Sequence, residues 1–255
     1  MVVTTPAATT SDDVAVFRLA FVPGVTPGKW VRIWAQRRPD VPLELVALDV
    51  ADCAEAVGQG QVQMAITRLP DALRHGDAGA HHTIELYEET TVVVVPKDHV
   101  LTAGDEMTLA DLADEQLLWP LDEPLTVAQR PGSAVSHRPE TTGDAIELVA
   151  AGIGVLLVPQ SLARLHHRKD LVHRPVTDAP TSTVGLLWPQ PTTGLADEFV
   201  GIVRGRKATS SRGRTDETPK RSAREKAAAK RAAREAVGKI PGKSARRDPG
   251  RPKRR

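Results

Sequence analysis

The chain has 255 residues, of which 40% are hydrophobic and 26% charged, a composition typical of a soluble protein with one or two domains and a sizeable core. Its net charge of +2 averages two unlike regions: residues 1–203 carry 14 Lys and Arg against 27 Asp and Glu, whereas residues 204–255 carry 20 against 5. Aromatic residues make up only 3%, which argues against an aromatic-lined pocket, and no apolar run is long enough to span a bilayer.

The amino-terminal segment and the cysteine content indicate the compartment. Residues 1–13 are small and polar, without the basic and apolar regions of a secretory signal, and we expect them to form a disordered leader. Cys53 is the single cysteine, so no internal disulfide framework can form. Both features predict a cytoplasmic protein.

The first predicted elements alternate between strands and helices, the pattern of a parallel sheet with right-handed crossovers. Thr26 is expected to cap the first helix, with Pro27 at the first helical position. The second helix of this region is predicted to end before Gly58. Apolar and β-branched runs predict the strands at 16–22, 43–48, 63–66, 83–87 and 91–95, with the second helix at 51–57.

A second, similar series follows Pro96. Short helices are predicted at 109–113, 142–151, 160–165 and 196–203, and strands at 117–119, 155–158, 171–176 and 183–188. The whole reads as an α/β domain over 14–203 with two lobes joined by a hinge: lobe I covers 14–95 and 183–203, and lobe II covers 96–182. The segment 183–203 is assigned to lobe I because that lobe otherwise lacks a closing strand. Two lobes with two crossovers favour ligand capture in the cleft between them.

Residues 204–255 change character. They contain no Phe, Trp, Tyr or Leu, so they cannot bury enough apolar surface to fold alone, and we expect a disordered basic tail. A net charge of +15 favours contact with the phosphates of a nucleic acid, without sequence preference and with strong salt dependence. The predicted contacts lie in its basic clusters: Arg206, Lys207, Lys220, Arg221, Lys230, Arg231, Arg246 and Arg247. The alternatives are a solvated run of charge and contact with an anionic membrane surface, but the tail lacks the apolar face that an interfacial helix needs.

Five segments of the acidic part, taken in order and spacing, resemble the effector-binding domain of LysR-type transcriptional regulators. They are FRLAFVPGVTPGKW, QVQMAITRLP, LYEETTVVVVPKDHVL, LADLADEQLL and ELVAAGIGVLLVPQSLARL, spread over residues 16–188. The resemblance implies a type 2 periplasmic-binding-protein fold with two Rossmann-like lobes. About a dozen residues precede the first strand, too few for the winged helix-turn-helix that such regulators carry ahead of this domain. The resemblance leaves side-by-side pairing as a homodimer open.

The resemblance also indicates where an effector would bind. It places the turn Pro23–Gly28 in the pocket, with Thr26 at a hydroxyl position of the family and Arg68 facing the cleft. A guanidinium there would bind a carboxylate with two hydrogen bonds, and the alternative is a surface ion pair. Thr141 and Thr142 begin a second-lobe helix that would face Thr26, and facing helix starts favour an anion, although plain helix caps are the alternative. The predicted ligand-binding residues are Pro23, Thr26, Gly28, Arg68, Thr141 and Thr142.

No catalytic constellation, metal site or cofactor motif is found. The paired histidines at 81–82 and 166–167 lack metal-ligand spacing, and no cysteine stands near them. We therefore expect a regulatory module, not an enzyme, that senses a small anionic metabolite and attaches to nucleic acid through its basic tail. The alternatives are a solute-binding protein of the same fold and an orphan effector domain that acts through protein partners.

Overall fold

The computed structural model describes residues 16–74, 77–78, 81–125 and 127–206, all within one compact unit of the chain. The leader predicted over 1–13 and the tail from residue 207 onward lie outside these residues. The strands are β1 (Phe17–Phe21), β2 (Leu43–Ala47), β3 (Met64–Arg68), β4 (Asp77–Ala78), β5 (His81–Glu89), β6 (Thr91–Pro96), β7 (Gln116–Leu118), β8 (Ser133–Ala134), β9 (Val155–Pro159), β10 (Leu171–Pro175) and β11 (Ser182–Pro189). The helices are α1 (Gly28–Arg37), α2 (Val50–Gly58), α3 (Thr142–Ala150), α4 (Gln160–Leu165) and α5 (Gly194–Val203).

The first sheet has the strand order β2-β1-β3-β11-β5-β4. Its first three strands are parallel, with Leu19 opposite both Leu45 and Met64, as the alternation of strands and helices predicted. Strand β11 lies antiparallel between β3 and β5. The late segment therefore returns to the first lobe and completes its sheet, as expected from the sequence.

The second sheet has the order β10-β6-β9-β7-β8. It corrects one predicted boundary, because β6 lies in this sheet, antiparallel to β9 and β10, and not in lobe I. The chain therefore crosses between lobes at Thr90 and not at Pro96. No proline or glycine marks that crossing, and Val93 and Val94 are buried on opposite faces of the second sheet.

Aromatic packing fastens α5 to the first lobe. The ring of Phe17 on β1 stacks on Trp34 of α1 and on Phe199 of α5, with centroids 4.5 Å and 5.5 Å away. All three side chains are fully buried. The indole Nε1 of Trp34 donates a hydrogen bond to the carbonyl of Val41 at 2.8 Å, which satisfies its polar atom in the core. Three of the chain's eight Phe, Trp and Tyr residues therefore pack in this core.

The start of α1 differs from the prediction. The helix begins at Gly28, so Pro27 occupies the capping position and no side chain caps the helix. Thr26 is exposed and makes no capping hydrogen bond there. Proline still suits the position, because its fixed φ fits the entry into a helix. None of the helices in the described segments is long and apolar enough to cross a membrane.

Candidate functional site

Two adjoining cavities lie between the lobes, with volumes of about 430 and 460 Å³. They share four lining residues and form one cleft, which we call the interlobe cleft. The larger cavity is lined by Pro23, Asp49, Val50, Ala51, Arg68, Leu121, Asp122, Glu123, Pro124, Glu140, Thr142 and Leu162. The smaller adds Leu69, Pro70, Asp71, Arg74, Leu125 and Pro180–Thr183.

The sheet topology puts the cleft where it is. Pro23, Asp49 and Arg68 stand at the carboxyl ends of the parallel strands β1, β2 and β3. Asp122 follows β7, which runs parallel to its neighbours β8 and β9 in the second sheet. Ligands of open α/β sheets bind outside the carboxyl ends of the strands, because loops and helix starts converge there. The cleft is thus the expected ligand position of both lobes at once.

Arg68 joins the two lobes. Its Nε donates to Oε2 of Glu89 at 2.9 Å, and the side chains of this ion pair are only 4% and 5% exposed. Its Nη1 donates to the carbonyl of Pro23 in the first lobe at 3.0 Å, and its Nη2 to Oγ of Ser161 on α4 in the second lobe at 2.9 Å. Glu89 ends β5, at the crossover itself. The predicted alternatives for Arg68 were an effector ligand and a surface ion pair, and the structure shows a buried pair.

Gly24 allows this close approach. It has φ = 84°, and a Cβ at this position would lie 2.7 Å from Oγ of Ser161 and 3.1 Å from Nη2 of Arg68. Any side chain would collide with the hydroxyl, and the left-handed backbone favours glycine as well. The turn after β1 is therefore shaped to admit Arg68 and α4.

The start of α3 is already occupied by carboxylates of the chain. Thr141 and Asp144 form a capping box, in which Oγ1 of Thr141 accepts from the backbone N–H of Asp144 at 3.1 Å. The buried Thr142 donates both its backbone N–H and its hydroxyl to the Asp122 carboxylate, each at 3.0 Å. The side chain of Asp122 thus takes the place that an anionic ligand was predicted to fill.

Glu123 is the most unusual acid of the cleft. Its side chain is 10% exposed, and Oε2 accepts from Nη2 of Arg130 at 2.9 Å. Its other oxygen, Oε1, is buried and has no hydrogen-bond partner within the described part of the chain. Burial raises the pKa of this carboxyl, and the charges of Arg130 and Arg138 oppose that shift. The guanidinium of Arg130 also lies over the ring of Trp119, 4.1 Å from its centroid.

The structure brings three of the six predicted ligand-binding residues to the cleft: Pro23, Arg68 and Thr142. Thr26, Gly28 and Thr141 are not part of the lining of either cavity. Sequence reasoning missed Glu89, Ser161, Asp122 and Glu123. The two last stand in the Pro-rich segment 120–139, which reads as a plain loop, and only the adjacent pair of carboxylates hinted at more.

Two further predictions concern metals and the tail. Among the described residues, no group of three or more His, Cys, Asp and Glu is placed to hold a metal ion.

Arg206, a predicted nucleic-acid contact, belongs to the end of the folded domain: its carbonyl accepts from Nη2 of Arg37, and its Nη1 lies 3.7 Å from Oδ1 of Asp197. The other predicted contacts fall outside the described residues.

A two-lobed α/β domain with a ligand-sized cleft at the strand ends is the architecture of effector-binding domains. Comparison of solved structures agrees: the effector-binding domain of BenM with its effector benzoate superposes with a TM-score of 0.62 at 21% identity, covering 75% of this chain and 91% of that one. The oxidized form of OxyR superposes with a TM-score of 0.61 at 20% identity, covering 74% and 93%. These similarities establish the fold.

Residues 15–208 match the family model of the LysR substrate binding domain, and the chain belongs to that family. Curated relatives include the HTH-type transcriptional regulator CatR of Pseudomonas putida, 34% identical over 154 residues, which cover 56% of this chain and 51% of CatR. The Hca operon transcriptional activator HcaR of Escherichia coli is 24% identical over 206 residues, 75% of this chain and 68% of HcaR. The chain spans about half the length of the first relatives it matches. These relatives are named as transcriptional regulators, and the part of the chain that resembles them is the substrate binding domain of the family.

Proposed function

We propose that this domain senses a small-molecule effector in the interlobe cleft. The observation that carries the proposal is the pair of adjoining cavities of about 430 and 460 Å³, lined from both lobes at the strand ends. Ligand pockets usually have volumes of roughly 300–1,000 Å³. A ligand that touches both lobes binds the closed arrangement more tightly than the open one, and it therefore shifts the population of lobe orientations.

We expect Arg68 to be the side chain through which ligand binding in the cleft affects the relative position of the lobes. It lines both cavities and holds Pro23, Glu89 and Ser161 together across the lobes. A ligand that disturbs one of these hydrogen bonds changes the position of the guanidinium and therefore weakens or strengthens the others. This shared donor supports a coupling between ligand binding and the relative position of the lobes.

A thermal-shift screen of the full chain against a metabolite library tests the sensing proposal. Hits are then measured with the variant Ala51→Trp, which fills the larger cavity from the start of α2 without a change of charge. The matched control is Ala110→Trp at an exposed position outside the cleft. We expect Ala51→Trp to abolish the shift and Ala110→Trp to retain it. Hits that survive Ala51→Trp place the binding elsewhere and contradict the proposal.

The second proposed activity is non-specific binding of nucleic acid by the tail. The support is its charge of +15 beside a domain with an excess of acids, together with relatives that are transcriptional regulators. Each phosphate contact contributes about −0.9 to the slope of log affinity against log salt. The single cysteine and this regulatory role also favour the cytoplasm.

Gel shifts of duplex DNA at rising salt test the tail. Replacing three tail lysines with Gln should make this negative slope shallower by up to about 3. The matched control replaces three exposed lysines of the domain and should leave the slope unchanged. The tail lysines are Lys207, Lys220 and Lys230, and the control lysines are Lys29, Lys97 and Lys169. Equal slopes for both triple variants refute a role of the tail.

The class of ligand depends on which polar groups of the cleft are free to bind it. Benzoate is the effector in the BenM structure, and an anionic metabolite was predicted here from Arg68 and the helix starts. In this chain, Glu89 pairs with Arg68 and Asp122 occupies the N–H and hydroxyl of Thr142. The groups expected to hold an anion are therefore engaged, and the charge of the remaining lining becomes the better guide.

A further inference from the structure

The interlobe cleft is strongly acidic. The larger cavity is lined by four carboxylates against one guanidinium, that of Arg68. Glu89 is ion-paired with Arg68, so this guanidinium offsets none of the four, whereas Oε2 of Glu123 is ion-paired with Arg130. The carboxylates are Asp49, Asp122, Glu123 and Glu140. In the smaller cavity, the basic Arg74 already lies 3.3 to 3.6 Å from the carboxylates of Asp71, Glu85 and Glu88.

An anion would find the donors at the start of α3 already engaged. Asp122 accepts both donors of Thr142, and Asp144 closes the capping box with Thr141. The positive end of the α3 helix dipole is thus already neutralised by the chain itself. A ligand carboxylate at this helix start would have to displace Asp122 and then lie beside it, and like charges at such distances repel.

Glu123 provides an independent sign that a donor is missing. A buried oxygen without a hydrogen-bond partner is rare in folded proteins, and Oε1 of Glu123 is such an atom within the described residues. The side chain is nine-tenths buried and lines both cavities. An ammonium group offers three donors and no acceptor, so it would supply what this carboxylate lacks.

We propose that the interlobe cleft recognises a small molecule through a cationic amine or guanidinium group, which donates to Glu123 and lies among Asp49, Asp122 and Glu140. This inference rests on the proposed sensing function and names the ligand class of the same cleft. Charge-assisted hydrogen bonds are roughly twice as strong as neutral ones, and a partly closed cleft strengthens them further. Burial raises the pKa of Glu123, and a bound cation would favour its ionised form.

Matched probes of one shape and three charges test the ligand class on the full chain. Benzylamine, benzyl alcohol and benzoate form one set, and putrescine, 1,4-butanediol and succinate form a second. At a concentration about 100-fold above Kd, a bound amine should raise Tm by about 5 °C or more. We expect a shift with at least one amine, and none with the alcohols and carboxylates.

Two variants locate the cation. Glu123→Gln keeps the shape of the side chain and removes its charge, and we expect the affinity for the amine to fall about tenfold or more. Glu140→Gln, at an exposed position of the lining, should weaken binding by a smaller factor. The control, Glu106→Gln, makes the same change of net charge at an exposed position outside the cleft and should bind as the parent does.

The outcomes separate the two proposals. A carboxylate that stabilises the chain better than its matched amine overturns the cationic class and leaves the sensing function intact. Binding of no probe from either set overturns the cationic class too, and the metabolite screen described above then decides sensing by itself. An amine that binds equally well to the parent, Glu123→Gln and Glu140→Gln also refutes the assignment, because these carboxylates would then play no part in its binding.

Discussion

Breaking the ion pair of Arg68 and Glu89 should destabilise the domain far more than breaking an exposed pair. The two side chains are 4% and 5% exposed, and the distance from Nε to Oε2 is 2.9 Å. Removing one partner leaves the other charge buried without compensation, which costs about 3–5 kcal/mol. Arg68→Met also removes the hydrogen bonds to Pro23 and Ser161, so its cost should lie at the upper end. For a domain of this size, such a loss lowers Tm by roughly 6–20 °C.

The assay is urea unfolding of Arg68→Met, Glu89→Gln and the double variant, with the free energy of unfolding taken by linear extrapolation. The double variant should be more stable than the sum of the two losses predicts, with a coupling of about 2 kcal/mol, because it leaves no unpaired charge. The matched control is the pair of Arg18 and Glu44, whose side chains are 51% and 56% exposed. Its loss should cost about 0–1 kcal/mol.

Two results would refute the reasoning. Single losses below about 1 kcal/mol would mean that the buried pair behaves like a surface pair. Additive losses would mean that Arg68 and Glu89 do not compensate each other. Arg68→Lys adds a further check, since lysine keeps the charge and loses the forked donors that reach three partners. We expect its stability to lie between those of the parent and Arg68→Met.

Three further predictions concern the core, a helix cap and pH. Phe199→Ala should cost about 3–5 kcal/mol in urea unfolding, because it opens a cavity in the aromatic core; a loss under about 1 kcal/mol would contradict the docking of α5 on the first lobe. Thr141→Ala should cost about 1 kcal/mol through loss of the capping box, and Thr141→Ser should restore most of it. Burial raises the pKa of Glu123 in the folded state, so its contribution to stability is full below the usual value of about 4.3 and is lost as the pH rises through the folded pKa. Relative to the parent, Glu123→Gln should therefore gain stability as the pH rises above about 4.3, and a difference that stays constant with pH would argue that Glu123 is solvated.

Some elements could be predicted from the local sequence because the hydrophobic pattern and the flanking Gly and Pro residues indicated the same boundaries. Strand β9 is an apolar run bounded by Gly154 and Pro159, and its prediction at 155–158 falls within the observed Val155–Pro159. Helix α4 was predicted with its observed bounds, Gln160–Leu165. Strand β6 was also found as a strand, but it was assigned to the wrong lobe. Its β-branched residues fit a pleated sheet of either lobe, and nothing local says which sheet it joins.

The site was less accessible to sequence reasoning than the fold. Arg68 was singled out, but its partners Glu89 and Ser161 are 21 and 93 residues away in the chain. Asp122 and Thr142 are separated by 20 residues and belong to different elements. The ligand class inferred from Arg68 and the helix starts depended on those groups being free, and whether a donor is free depends on its spatial neighbours.

Composition, periodicity and turn residues alone predicted the two-lobed α/β architecture, a ligand in the cleft between the lobes, and the division into an acidic body and a basic tail. These predictions rest on local patterns of apolar residues and on the count of charges, and a single sequence contains both. Only the tertiary structure decided that Arg68 is a buried link between lobes, that Asp122 occupies the start of α3, and that Oε1 of Glu123 has no hydrogen-bond partner within the described residues. Each of these depends on which distant polar groups meet when the sheets assemble, and pairing at that distance leaves no periodic trace in a sequence.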